Sequence, residues 1–420
     1  MDPQDRAFLT RLFKAAVIAA DPKTALKPHL PEKPKGRTVV IGAGKGAAQM
    51  AAAFEDLWGA PVTGTVVTRY GYSAKTRYIQ VIEASHPVPD EAGLSAARIL
   101  QENVTGLSED DLVVALICGG GSALLPAPPD GLTLSDEQSL NRALLASGAP
   151  ISVMNAIRKQ VSLVKGGRLA QMACPARVVS LVVSDVPGDA PFQVASGPTV
   201  PDVSDRETAL KFVAGYNIEL PNVITDYLAT ARDTTPLPSD SAFSRNEVKV
   251  IASAAISLDA AAIAARGEGI SPVILSDCIE GEAKDIGMMH AAMAREIRVQ
   301  NRPFEAPVVV LSGGETTVTI RGDGGRGGRN TEFLLAFAGG IEELSMTAMA
   351  ADTDGIDGSE DNAGAFANGT TWKRLRAGGH DPRQLLTGHD AWAAFNALGD
   401  LFEPGPTGTN VNDFRAILIR

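Results

Sequence analysis

A lysine and an arginine stand in glycine-rich stretches where strand-like runs give way to helix-like ones. The lysine is Lys45, in TVVIGAGKGAAQM at 38–50, beside Gly42, Gly44 and Gly46. Glycine lets backbone N–H groups come close to an anion, and a helix start adds partial positive charge. Lys45 adds a full one. The GxGxxA spacing fits the dinucleotide fingerprint loosely, but Thr68, Arg69 and Tyr70 stand where a ribose-binding acid belongs. Arg69 could instead meet a 2′-phosphate, and a tight packing turn with an exposed lysine is the plainer alternative. The arginine is Arg329, in LSGGETTVTIRGDGGRGGRNTEFLLAF at 311–337, with Gly313, Gly314, Glu315, Thr316, Arg321, Arg326, Asn330 and Glu332. Arginines in a glycine-rich loop before a helix suit polyphosphate, unless the loop is merely a hairpin tip.

Three further clusters carry polar chemistry. ICGGGSALLPAP at 117–128 offers a second anion nest from Gly119, Gly120 and Gly121, with Ser122 as hydroxyl donor. It matches neither GxxxxGK[ST] nor GxSxG, so neither a Walker A loop nor a hydrolase elbow is indicated. SLVVSDVPGDAPFQVASGPTVPD at 180–202 sets Ser184, Asp185 and Asp189 after a strand, with Gly197 close behind. Such carboxylates suit a metal, a hydroxyl or a general base, and aspartate is also common in plain turns. AADTDGIDGSEDNAGAF at 350–366 crowds Asp352, Asp354, Asp357, Glu360 and Asp361 without the spacing of an EF-hand. Asp352 and Asp354 could hold a divalent metal or a substrate hydroxyl, or form a solvated acidic turn. The five histidines show no metal spacing; His86, after a strand, lies near a cleft or is a hydrogen-bonded structural residue.

These clusters need elements to carry them. Strand patterns occur at 37–41, 63–68, 79–83, 112–117, 177–183, 248–251, 272–275, 308–311, 316–320, 347–351 and 416–419. Helix patterns fall at 46–58, 90–103, 135–147, 151–172, 258–266, 282–299, 330–343 and 365–377. This alternation predicts an α/β fold with largely parallel sheets covered on both faces. Phe8, Leu9, Leu12, Phe13, Ala16, Val17 and Ala20 recur at helical spacing and predict an amphipathic docking helix at the N-terminus. The Pro/Ser/Asp-rich stretch 233–247 suggests a boundary, giving domains at 1–240 and 241–420.

Composition narrows the function classes. Glycine supplies 42 of 420 residues without a three-residue period, which excludes collagen, and the glycines are not Ser- or Gln-rich linkers. A net charge of −11 argues against nucleic acid as a partner. No apolar run approaches the length of a membrane span. Three cysteines without a CxxC pair signal neither a disulfide framework nor zinc, and the cytoplasm is the expected compartment.

In order, IGAGKGAAQMA, EASHPVPDEAG, CGGGSALLPAP, NAIRKQVSLVKGGRLA, SDVPGDAPFQVASGPT, LSGGETTVTIRGDGGRGGRNTEF, DTDGIDGSEDNAGA and GTNVND resemble the class II glycerate 2-kinases, across residues 5–419. The C-terminal part of that family is called the MOFRL domain. The resemblance implies two α/β/α domains, the first Rossmann-like, with the active site in the cleft between them. It implies transfer of the ATP γ-phosphoryl group to the 2-hydroxyl of D-glycerate, with Mg²⁺ or a similar divalent ion. It leaves a homo-oligomer open. Related sequences also bear a hydroxypyruvate reductase label, an NAD(P)H-dependent alternative that lacks its ribose acid here. The essential lysine and arginine of the family match Lys45 and Arg329; its usual GGRNQE is GGRNTE here, with Thr331 for glutamine.

The expected catalytic residues are Lys45, Arg329 and Asp189. Gly44, Gly120, Gly121, Ser122, Ser184, Asp185, Gly197, Gly313, Gly314, Glu315, Thr316, Asn330, Glu332, Asp354, Asn412 and Asp413 are expected to bind substrate and nucleotide. Asp189, Asp352 and Asp354 are the expected metal ligands.

Overall fold

A computed structural model describes residues 1–231, 234–320, 322 and 324–420. Arg321 of the arginine-rich loop and Asp233 at the start of the expected linker lie outside the described residues. The chain divides into two compact units, Pro22–Ile251 and Met1–Asp21 with Ala252–Arg420.

The unit at 22–251 is built on a sheet of β1 (Thr38–Ala43), β2 (Thr63–Arg69), β3 (Gln80–Ala84), β4 (Leu112–Cys118), β5 (Arg177–Val183) and β6 (Glu247–Ala252). The order is β3-β2-β1-β4-β5-β6. Ladders β1–β2, β1–β4, β2–β3 and β4–β5 are parallel. Every residue of β1 and β4 is buried, as apolar runs covered on both faces must be. Helix Glu91–Val104 begins at Asp90, whose carboxylate accepts from Gly93 N, and buries Ala96, Ala97 and Leu100 on the sheet. The helix expected at 151–172 is two, Ile151–Gln160 and Arg168–Met172. Gly166 and Gly167, at φ 65° and 85°, turn the chain between them. That turn carries Lys165 inward to Glu137 Oε1 at 2.8 Å and Leu125 O at 2.9 Å, both buried.

The other unit holds β7 (Ser271–Ile274), β8 (Ile279–Glu282), β9 (Val308–Thr317), β10 (Met346–Asp352), β11 (Gly364–Asn368), β12 (Leu401–Phe402) and β13 (Asp413–Ile419). Its order is β12-β11-β10-β13-β9-β7, with β8 also on β9. The α/β class holds, but this sheet is mixed rather than largely parallel. β13 inserts between β9 and β10 antiparallel to both, and β11 and β12 return antiparallel. Only β7 and β8 run parallel to β9. Of the strand expected at 316–320 only 316–317 are strand, as the end of β9, and the start of the helix expected at 365–377 is β11.

The N-terminal helix Pro3–Ala20 docks as its periodicity predicts, but on this second unit rather than in a 1–240 domain. Phe8, Leu9, Leu12 and Phe13 pack with Leu258, Ala262, Phe402 and Phe414. Phe13 meets the rings of Phe402 and Phe414 edge-on at 5.0 and 5.8 Å. Burying each such ring contributes about 1.5–3 kcal/mol, enough to fix the helix here. The opposite face of the sheet is covered by helices Ala283–Gln300 and Arg329–Gly340, through Ala291, Ala294, Phe333 and Phe337.

Candidate active site

In the 22–251 unit, strand order reverses between β1 and β4. Open α/β sheets bind ligands beyond the carboxyl ends of the strands at such a point. The loops leaving β1 and β4 are stitched together there: Lys45 N donates to Gly119 O at 2.9 Å and Gly46 N to Cys118 Sγ at 3.2 Å. Gly119 leaves room for Asp185, since a Cβ at that position would stand 1.8 Å from Asp185 Oδ2. Gly120, at φ 80°, is bracketed by Lys45 and His86; its Cβ would lie 3.0 Å from Lys45 Cγ and 3.1 Å from His86 Nε2.

Lys45 is half-buried, and its ammonium has no carboxylate partner among the described residues. Burial, reinforced by the charges of Lys45 and Arg69, lowers the His86 imidazole to about 4, so it is neutral at neutral pH. Burial pushes the Cys118 thiol up to about 12, which removes it as a nucleophile.

Ser122 Oγ lies 2.8 Å from Ser196 Oγ, and Ser196 donates to Asn155 Oδ1 at 2.9 Å. Arg158 Nη1 also donates to that oxygen, at 3.1 Å. The loop after β5 is thus tied to the loop after β4. Asp189, Ala195 and Ser196 hold φ of 53°, 52° and 60°. Such strain costs of order 1 kcal/mol or more per residue and concentrates at functional loops. The Asp189 carboxylate makes no hydrogen bond or ion pair among the described residues. Ser184 is buried and bonds within its own turn to Val186. Gly197 serves the backbone: it ends a left-handed turn at φ 60° and its carbonyl accepts from Gly167 N at 2.7 Å.

The second cluster lies in the other unit, at the first turn of helix Arg329–Gly340. Neighbouring strands bring its acids together: Asp352 on β10 stands opposite Asp413 on β13, and Asp413 opposite Gly314 on β9. Arg329 spans all three strands. Its Nε donates to Asp413 Oδ1 at 2.6 Å, Nη2 to Asp352 Oδ2 at 2.7 Å and Nη1 to Glu315 Oε1 at 3.1 Å. Burial works against the arginine's charge, but Asp413, Asp352 and Glu315 outweigh it and raise its pKa. Asp352 moves well above the usual carboxylate range through burial and the charges of Asp354 and Asp413, against the pull of Arg329.

Asn330 Nδ2 donates to Asp413 Oδ1 at 2.8 Å, and Thr316 Oγ1 to Asp413 Oδ2 at 3.3 Å. Gly313 and Gly314 are not an open phosphate loop, because they are rungs of β9 and their backbone is engaged by neighbouring strands. Asn412, at φ 65°, precedes Asp413 and its carbonyl accepts from Thr353 Oγ1 at 2.8 Å. Glu332 points elsewhere; it is buried and its Oε2 lies 2.8 Å from His389 Nδ1.

Two residues outside the expected set complete this cluster. Arg415, fully buried on β13, donates through Nη2 to Asp413 Oδ2 at 2.5 Å and to Thr316 Oγ1 at 3.0 Å. Asp357 caps the helix: Oδ1 accepts from Asn330 N at 2.9 Å, and Oδ2 from Thr331 N and Oγ1 at 2.8 and 2.9 Å. Thr331 thereby has a local role of its own, at the helix cap. Burial, against those hydrogen bonds, raises Asp357 to about 6. Asp357 was visible in the acidic run, whereas nothing about Arg415 in the sequence separates it from an ordinary strand residue.

Among the described residues no three His, Cys, Asp or Glu side chains form a metal cage. Asp352 is engaged on both oxygens, by Arg329 and by Asp354 N at 3.1 Å. Asp189 keeps its carboxylate open, and Asp354 uses Oδ1 for Ile356 N at 2.9 Å. Either carboxylate by itself fits a Mg²⁺ ion that arrives with phosphate oxygens and takes one or two carboxylates, the usual nucleotide case.

Known proteins resemble the chain along nearly its whole length. A family described as a domain of unknown function (DUF4147) matches residues 8–229, and the MOFRL family matches residues 308–413. A glycerate 2-kinase from Pyrococcus horikoshii is 41% identical, over 90% of this chain and 86% of its own length. A protein of Agrobacterium vitis, provisionally named a hydroxypyruvate reductase, is 49% identical over 100% of this chain and 95% of its own. The crystal structure of glycerate kinase from Thermotoga maritima superposes with a TM-score of 0.90 at 37% identity, covering 99% of both chains.

Proposed function

We infer that the chain is a D-glycerate 2-kinase, on the premise that it belongs to the glycerate kinase family that joins the DUF4147 and MOFRL domains. It transfers the γ-phosphoryl group of ATP to the 2-hydroxyl of D-glycerate, giving 2-phosphoglycerate and ADP. Lys45 carries the reading from geometry: a half-buried ammonium without a carboxylate partner, between two strand-end glycine loops. An uncompensated cation beside backbone that can approach closely is built for an anion. A nicotinamide enzyme of this fold would carry an acid at the end of β2, where Arg69 stands.

Phosphoryl transfer asks for positioned phosphates, cations on the transferring group and an oriented hydroxyl. Lys45 supplies charge to the transferring group. In its own unit Arg329 is a cation suited to phosphate, and its pair with Glu315 is the replaceable one, because that glutamate is 51% exposed while Asp413 and Asp352 are buried. Phosphate oxygens take the place of the Glu315 carboxylate while the buried acids hold the guanidinium plane. Asp189, free and on a strained loop, orients the glycerate hydroxyl and accepts its proton. Asp354 would hold Mg²⁺, which would supply charge neutralisation to the phosphates. The free, exposed Cys174 and Cys278 suit the reducing cytoplasm.

The test is the purified protein with ATP, Mg²⁺ and D-glycerate, with the product identified by ³¹P and ¹³C NMR. ADP and 2-phosphoglycerate are expected. Absence of ADP together with NAD(P)H oxidation on hydroxypyruvate would replace the kinase reading by a reductase.

A further inference from the structure

Next to Lys45 two more groups converge that the reaction, as described, does not use. Thr68 Oγ1 donates to Lys45 O at 3.1 Å, which pins the end of β2 to the glycine loop of β1. The next residue is Arg69, half-buried, its guanidinium carbon over the Tyr72 ring, 3.6 Å from the centroid. Arg69 is opposite Ala84 in the β2–β3 register, and His86 follows two residues later. The carboxyl ends of β1, β2, β3 and β4 therefore present Lys45, Arg69, His86 and Gly120 side by side.

Neither Lys45 nor Arg69 forms an ion pair among the described residues. Of the nearby acids, Glu83 Oε1 accepts from Gly71 N at 2.7 Å, Asp90 accepts from Tyr70 Oη at 2.9 Å and Gly93 N at 3.0 Å, and Asp185 stands against Gly119. Both cations act on the His86 ring, which they and burial keep neutral. Two half-buried cations side by side, neither in an ion pair, attract an anion that bridges them.

A guanidinium held over an aromatic ring presents its planar fork to the two oxygens of a carboxylate, whereas an ammonium is a point charge suited to one transferring group. We propose that Arg69 is the specificity residue for the carboxylate of the 2-hydroxy acid, with His86 beside it as hydrogen-bond partner to a substrate hydroxyl. This division leaves Lys45 to the phosphoryl group. The inference rests on the kinase reading for the identity of the acid.

The experiment compares wild type, Arg69→Gln, Arg69→Lys and His86→Asn. It reads the KM for D-glycerate, the KM for ATP, and calorimetric binding of D-glycerate and of glycerol without nucleotide. Arg69→Gln is expected to raise the glycerate KM ~50-fold, as loss of a charged hydrogen-bonding pair would, while the KM for ATP stays within about twofold. Arg69→Lys should recover part of the loss, and His86→Asn should cost about tenfold on the glycerate KM alone. Wild type should bind glycerate and not glycerol, and Arg69→Gln should bind neither. A glycerate KM and glycerate binding unchanged in both Arg69 variants, or a rise in the KM for ATP instead, would overturn the assignment. Wild type that forms no ADP would instead overturn the kinase reading, and the binding arm would still decide on Arg69.

Discussion

Arg329 and Asp413 meet at 2.6 Å, and the same carboxylate is held on its other oxygen by Arg415 at 2.5 Å. One buried acid thus links an arginine open to the surface with an arginine that is fully buried. It can do so because β13 lies between β9 and β10, with Asp413 at the rung shared by Gly314 and Asp352. Asp413→Asn removes a charge that both arginines need. It is expected to lower kcat at least 100-fold and to destabilise the protein by about 3–5 kcal/mol, the cost of breaking a buried pair from one side. Steady-state kinetics and urea unfolding check the two effects; normal turnover would remove Asp413 from the positioning of Arg329.

Lys45→Met keeps the aliphatic stem and deletes the charge. Because the ammonium has no partner in the folded chain, stability should change by no more than about 0.5 kcal/mol. The rate of ADP formation should fall on the order of 10³-fold, as when a charge-stabilising group is removed. Circular dichroism melting and a coupled ADP assay read these separately. A large loss of stability with little loss of rate would make Lys45 structural.

Asp357 sets a pH dependence with a definite sign. Its folded value is about 6 against a reference value of 3.8. Between these values the folded state keeps a proton that the unfolded state has lost, so this group's contribution to stability falls as pH rises from about 4 to about 6. Two pH units correspond to on the order of 3 kcal/mol. Wild type should therefore lose stability relative to Asp357→Asn across that window. Parallel Tm-against-pH curves for the two proteins would contradict the assignment.

The pair Lys165–Glu137 tests the glycine turn at 166–167. Both side chains are buried, and Lys165 Nζ also donates to Leu125 O at 2.9 Å. Lys165→Met strands the glutamate and should cost about 3–5 kcal/mol in chemical unfolding. Lys165→Met with Glu137→Gln should recover part of that loss. A double variant no better than the single one would place the energy in the turn rather than in the pair.

Local pattern by itself determined much of this protein. The strands at 112–118 and 177–183 and the helix at 3–20 follow from apolar period and turn residues, which act within a few residues of chain. The glycine loops with Lys45, and Arg329 at a helix start, were legible for the same reason: steric freedom and charge belong to each residue. Tertiary structure decided what depends on distant pairing. Nothing within 413–419 announces that the last strand will run antiparallel between β9 and β10, so the sheet reads as parallel until that insertion is seen. The same insertion turned Gly313 and Gly314 from a loop into strand rungs and gave Arg415 its buried place beside Asp413. Likewise the N-terminal helix advertises an apolar face but not its receptor, because hydrophobic burial is non-directional and only the packed rings of Phe402 and Phe414 specify where it lands.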